Sequence, residues 1–465
     1  MSAARVAVLL GLIAPLLICA PVRAETTTVV SVGFQFAPAD AEIAVGDSLK
    51  LLNVDVAPHN IVSLVSRRGV LLFASATVSA GQEAPVRGVE KLTPGAYGFY
   101  CSVHPQMVGS LLVKGAGGAQ VAVLPTGGVV PTPTSLTTYD GALYVASYAR
   151  GTVERLPILP GGALAPATTY ASGFTNPLGV AFGPEGTMFV SDSHSLGTAT
   201  VGRVQAVPPG GGNVATVGRI VVDDLPNGRH NTNGLAVHAA RLYIANGNST
   251  DDGVRGGPPE QPLSGTVISV PVGATGISAT RPRTALQVEA SGLRNPYDIA
   301  FRPGTSELWV ANNGPDALDP YGEDSLHRFD VRGRTVDFGF PACVYRSGPV
   351  GPEVGQNPSI STPCNPRHTR PEMLMGLHVS ANGIAFAPTS GGWAGELLVA
   401  EYGSNVPPPA GHAVVRVPIV GGRASAPERL APAGTPLDVT FGPSGAGAYV
   451  VDFATGLITL LNPVG

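Results

Sequence analysis

Gly383-Ile384-Ala385-Phe386-Ala387-Pro388 decides the larger part of the fold, because near-copies recur as Gly179-Val180-Ala181-Phe182-Gly183-Pro184 and Asp298-Ile299-Ala300-Phe301-Arg302-Pro303. Each copy is a short apolar strand closed by a turn residue. A second strand ending in Ala, Ser or Asp follows, then a third that alternates Val and Arg. Six such units are read at 136–157, 177–208, 233–271, 296–331, 381–418 and 436–461. At roughly 55 residues each, units of a few short strands stack around an axis as blades, so a six-bladed β-propeller is expected over 135–465. The longest insertion, about 332–380, follows the fourth unit and carries Cys343 and Cys364.

Composition agrees with an all-β chain. The 61 Gly and 44 Pro suit tight turns and are costly inside helices, while 44% hydrophobic residues leave enough apolar surface for real cores. The net charge is −4, and the lysines are Lys50, Lys91 and Lys114, so no basic stripe exists to neutralise a phosphate backbone. Nucleic-acid binding is excluded on that ground.

Residues 1–24 read as a secretory signal: Arg5 in a basic start, an apolar run over 6–20, and the small-residue site Val22-Arg23-Ala24. That run is short for a membrane span. The expected mature chain is therefore secreted or periplasmic, with no span of its own. Cleavage discards Cys19 and leaves three cysteines. Cys343 and Cys364 can pair across the loop between them, and Cys101 sits where a metal would want a thiolate.

Residues 25–115 alternate in short strands with turn signals at Gly46-Asp47 and Pro94-Gly95, which implies a small antiparallel sandwich ahead of the propeller. A Gly/Pro-rich connector is expected over 116–134. On the sandwich two clusters carry chemistry: Ala57-Pro58-His59-Asn60, and Cys101-Ser102-Val103-His104-Pro105-Gln106-Met107. Two imidazoles and a thiolate in a plane, with a weak axial thioether, make a type 1 copper centre. His59, Cys101, His104 and Met107 supply that set. One short loop delivers three ligands, and His59 arrives from a distant strand to fix the geometry. Such a rigid site passes single electrons to or from a redox partner protein or a small donor or acceptor.

These clusters, with Gly33-Phe34-Gln35-Phe36-Ala37-Pro38, resemble the cupredoxins, and the Cys-x-x-His-x-x-Met spacing is most similar to amicyanin. The resemblance spans 27–114 and implies that His104 lies nearest the solvent.

The later units resemble the glucose/sorbosone dehydrogenase family of six-bladed propellers. That family uses pyrroloquinoline quinone (PQQ) and calcium to oxidise sugars and related alcohols. The carrying motifs are Arg229-His230-Asn231-Thr232-Asn233-Gly234, Gly292-Leu293-Arg294-Asn295-Pro296 and Asn312-Asn313-Gly314-Pro315-Asp316. The resemblance implies His230 as the base that takes a substrate hydroxyl proton, with Arg294 and Asn295 at the quinone. It also implies calcium on the carbonyls of Gly314 and Pro315, and Asp316, Asp319, Glu323 and Asp324 supply hard oxygens nearby. Two departures stand against it. Gly403 and the run Thr435-Pro436-Leu437-Asp438 occupy places where the family has basic residues for the quinone's three carboxylates. Asn248 stands where some members have a carboxylate behind the base. Two functions follow: a propeller that oxidises a sugar-like substrate and feeds the tethered copper, or a non-catalytic propeller that docks an electron carrier.

Overall fold

The computed structural model describes residues 25–464 except 64–65, 68–69, 93–94, 105–106, 115–119, 198, 282–284, 320, 349–350, 366, 405–409, 426, 433 and 444–446. The expected signal at 1–24 lies outside the described residues. Among the described residues the chain is all-β, with one short α-helix, Val214–Val217, and a few 3-10 turns. No described helix is long and apolar enough to cross a membrane.

The first domain is a sandwich of two four-stranded sheets. One holds Gln35–Ala37, Thr26–Val32, Ser48–Asn53 and Glu83–Val86 in that order. The other holds Asp40–Ala44, Val108–Lys114, Gly95–Tyr100 and Val62–Ser63. Alternation drives the packing: in Ser48–Asn53 every second residue is buried, placing Leu49 and Leu51 in a core with Val29, Phe36, Phe99 and Leu111. The sandwich is not purely antiparallel as expected. Thr26–Val32 runs parallel to Ser48–Asn53, and Asp40–Ala44 parallel to Val108–Lys114. Between the first pair the chain passes through Gln35–Ala37 in the same sheet and then Asp40–Ala44 in the opposite sheet, so it returns in its original direction.

Six blades follow. Their innermost strands are Pro133–Tyr139, Val180–Phe182, Thr232–His238, Asn295–Phe301, Ala381–Phe386 and Pro436–Phe441. The second strands, such as Ala142–Ser147 and Leu397–Glu401, are buried along their whole length because neighbouring blades cover both faces. Hence they read as continuous apolar runs rather than alternating ones.

The expected connector 116–134 is corrected. Gln120–Val129 pairs antiparallel with Leu457–Val464 as the outermost strand of the sixth blade, so the propeller is closed by its two ends. Pro125, Gly127 and Gly128 hide this strand in the sequence. The ladder accommodates them with an irregularity between Pro125 and Val129, at the edge where a missing N–H costs least.

The opening motif also gains its reason. Inner strands carry Gly or Asp before the apolar run because the blades interlock there. A Cβ at Gly383 would stand 2.1 Å from Asp438 Oδ1, and one at Gly234 would stand 2.2 Å from Asp298 Oδ1. Asp438 accepts a hydrogen bond from the Leu136 N–H at 2.8 Å, and Asp298 from the Ile384 N–H at 2.9 Å. Each carboxylate thus fastens its blade to the start of another inner strand.

The insertion expected after the fourth unit instead lies inside the fourth blade, between its third strand Glu323–Asp330 and its outermost strand Met373–Leu377; it forms a hairpin, Cys343–Gly348 with Gly351–Gln356, and Cys343 is disulfide-bonded to Cys364.

Candidate metal centre and propeller rim

The metal centre begins with backbone. Cys101 lies just past the end of Gly95–Tyr100, and a tight turn follows in which the His104 N–H bonds the Cys101 carbonyl and the Met107 N–H bonds the His104 carbonyl. The Cys101 N–H closes back on the Met107 carbonyl at 2.9 Å. His59 arrives on a separate segment, bridged through its backbone to Val78. Asn60 joins the two pieces: its Oδ1 accepts the Ser102 N–H at 2.8 Å, and its amide donates to the Ser102 hydroxyl at 2.8 Å.

Three donor atoms then converge. Cys101 Sγ is 3.7 Å from His59 Nδ1 and 3.8 Å from His104 Nδ1, and the two nitrogens are 3.2 Å apart. A triangle with those sides has a point about 2.1 Å from every corner, close to ordinary metal–imidazole distances and slightly short for a thiolate. Among the described residues this is the one cluster of three such side chains able to share an ion. Cys101 and His59 are buried, His104 is partly exposed, and Met107 is buried in the domain core. The donor set and its spacing fit copper.

Around it stands a layer that the sequence did not single out. Asp55 Oδ2 lies 2.9 Å from His59 Nε2, on the side of the ring away from the cluster. Burial works against the Asp55 carboxylate, but the N–H groups of Phe34 and Gly33 and the nearby His59 hold its pKa below the ordinary value. Phe34 stands edge-on to both imidazoles, 5.6 Å from His59 and 5.0 Å from His104. No motif announced Asp55; only its place four residues before His59 could have.

The second candidate site lies on the propeller rim where inner strands begin and second strands end. His230 Nδ1–H donates to Asn248 Oδ1 at 2.7 Å, which leaves Nε2 as the proton-accepting nitrogen. The Asn248 amide is fixed in turn by Glu260, 3.1 Å away, which also accepts the N–H groups of Ser249 and Thr250. A carboxylate, Glu260, thus stands one step behind the imidazole, on a loop that gave no signal in the sequence. Burial pushes the His230 pKa down to about 3, and Arg294 and Arg229 add to the shift, so the ring is neutral near pH 7.

The other expected residues are only partly brought together. Asn295 donates to Asn313 Oδ1 at 3.0 Å and accepts from Asn233 at 2.9 Å. Arg294 is buried and committed: its Nη2 reaches Asp251 at 2.5 Å and Asp316 at 3.3 Å. Arg229 holds the same two carboxylates, at 3.2 and 2.6 Å. The expected calcium side chains do not converge. Asp316 faces the arginines, Glu323 accepts from the Ser347 hydroxyl at 2.8 Å, and Asp324 accepts the Gly314 N–H at 2.8 Å. Asp319 is paired with His378 Nε2 at 3.0 Å, so the carbonyls of Gly314 and Pro315 are what is left of that set. Glu401, also at the rim and unforeseen, is buried, and burial reinforced by Asp324 raises its pKa to about 8. For a tricarboxylate cofactor the proton acceptor fits, but the charge does not. The arginines on His230's side of the rim, Arg229 and Arg294, are already neutralised.

Comparison with known proteins agrees with both folds. Residues 24–114 match the family model of copper binding proteins, plastocyanin/azurin family, and this segment is a copper-binding domain of that kind. The remainder has the fold of PQQ-dependent sugar dehydrogenases. A calcium structure of a family AA12 carbohydrate-active enzyme from Trichoderma reesei shares 20% identity over 75% of this chain and 96% of its own, with a TM-score of 0.58. The holo PQQ domain of pyranose dehydrogenase from Coprinopsis cinerea shares 17% over 74% and 97%, with a TM-score of 0.57. PQQ-bound aldose sugar dehydrogenase from Streptomyces coelicolor shares 19% over 74% and 98%, with a TM-score of 0.51. At these identities the likeness establishes fold alone. A search of curated protein sequences finds no match.

Proposed function

We propose that the chain is an exported copper protein whose sandwich domain would hold copper through His59, Cys101, His104 and Met107 and carry single electrons. The triangle of three donor atoms carries this reading. A disulfide at Cys343–Cys364 supports export, because such bonds persist in oxidising compartments. His104 is the ligand that reaches the surface, so electrons enter or leave beside Phe34 and Val103, both exposed. Copper supplies a one-electron couple; the protein supplies rigidity through the Asn60–Ser102 and Asp55–His59 contacts.

For the propeller, the reading carried by His230 is oxidation of a sugar-like hydroxyl compound. Its Nε2 is aimed by Asn248 and Glu260 to take a hydroxyl proton, and PQQ would supply the two-electron acceptor before electrons pass singly to the copper. Tethering favours such a hand-over through high local concentration. The paired arginines favour the second reading, in which the propeller binds a partner or ligand without oxidising it and serves as a dock for the copper domain. Adding PQQ and Ca²⁺ to purified protein, with a panel of aldoses and a redox dye, separates the two. A quinone spectrum that shifts on binding and sugar-dependent dye reduction support the first; neither signal supports the second.

A further inference from the structure

Away from the rim, the far end of the fourth blade carries a groove of about 570 Å³, within the range of small-ligand pockets. One wall is the end of strand Glu323–Asp330 and the turn after it; the other is 365 and 367–369, beside the disulfide at Cys364. The second wall is fixed. The Thr369 N–H bonds the Asp337 carbonyl at 3.0 Å, and His368 Nδ1 is 3.1 Å from Asp337 Oδ2. Gly339 leaves no room for a side chain there, since a Cβ would stand 2.6 Å from the His368 ring.

The charges in the lining cancel except at two points. Arg328 is held by Glu307 and Glu372, Asp330 by Arg332, and Asp337 by His368 and the Gly339 N–H. Arg334 and Arg367 line the groove as well, and neither guanidinium has a hydrogen bond or ion pair with any described residue. Both arginines are exposed, and two unpaired cationic side chains lining one groove can together donate to a single carboxylate or phosphate. We propose that this groove binds a small anionic ligand through a carboxylate or phosphate group held by Arg334 and Arg367. Nothing in this depends on the rim or the copper.

Calorimetric titration of the full chain with inorganic phosphate, and separately with glucuronate, tests it. Saturable 1:1 binding of one probe is expected, persisting at about 0.15 M salt and weakened at least tenfold in the Arg334→Gln/Arg367→Gln double variant. The stronger probe identifies the source of the anion. An unchanged melting temperature in the variant separates lost binding from lost folding. The proposal is overturned by three results: no saturable binding of either probe, equal binding by the variant, or binding that vanishes at that salt concentration.

Discussion

Asp55 stands 2.9 Å behind His59, so the buried imidazole at the metal centre has a carboxylate on its outer nitrogen and the donor cluster on its inner one. Outer partners of this kind fix ring orientation and raise ligand basicity. A negative charge there favours the more positive copper(II) state. Asp55→Asn is therefore expected to raise the reduction potential, by about 59 mV for each tenfold change in the relative stability of the two oxidation states. Voltammetry of the copper-loaded protein measures it, and an unchanged or lower potential contradicts the assignment.

Asn60 ties the two halves of the site together through Ser102. Asn60→Ala removes both bonds and is expected to destabilise the first domain by about 1–3 kcal/mol and to broaden the copper spectrum. Denaturant melts with an optical readout from the sandwich would show a shifted midpoint; no shift would mean that the contact is idle.

His230 is neutral because burial and two arginines depress its pKa to about 3. Its ring resonances should not titrate between pH 5 and 8. Asn248→Asp places a negative charge beside Nδ1 and should move the titration upward, which NMR of the labelled ring reads directly. A ring that already titrates near 6.5 would contradict the geometry.

Glu401 has a folded-state pKa near 8 against an ordinary value of 4.5, and Asp324 near 7 against 3.8. Both folded-state values are raised, so the stability they contribute is fully present below about pH 4 and is lost as pH rises through 7 and 8. Buried His230 and His327, both near pKa 3, act in the opposite sense, but only between about 3 and 6.5. Melting temperature should thus decline from pH 6.5 to 8.5, and Glu401→Gln should flatten that decline. A flat profile in the parent chain would refute the buried-acid account.

Much of this was legible in the chain. The Gly/Asp-apolar repeat gave six blades because interlocking sets Gly383 against Asp438 and Gly234 against Asp298 at a fixed place in their units. The Cys101–Met107 loop gave the metal donors because one turn delivers them. The strand Gln120–Val129 was not legible: its partner lies more than 330 residues away, and pairing at a sheet edge overrode its Pro and Gly content. Asp55, Glu260 and Glu401 were missed for a related reason. Each acts through a contact set by tertiary packing, and isolated carboxylates carry no pattern. The carboxylates of the calcium set, although close in sequence, take different partners in the fold, Arg229, His378, Ser347 and the Gly314 N–H, which spacing alone does not reveal.

The central claim is the copper centre, and the absorption spectrum of the oxidised, copper-loaded protein tests it most directly. A type 1 site predicts an intense blue thiolate-to-copper band that disappears in Cys101→Ser while copper remains bound through the histidines. A colourless copper(II) protein, or a band that survives Cys101→Ser, would contradict it.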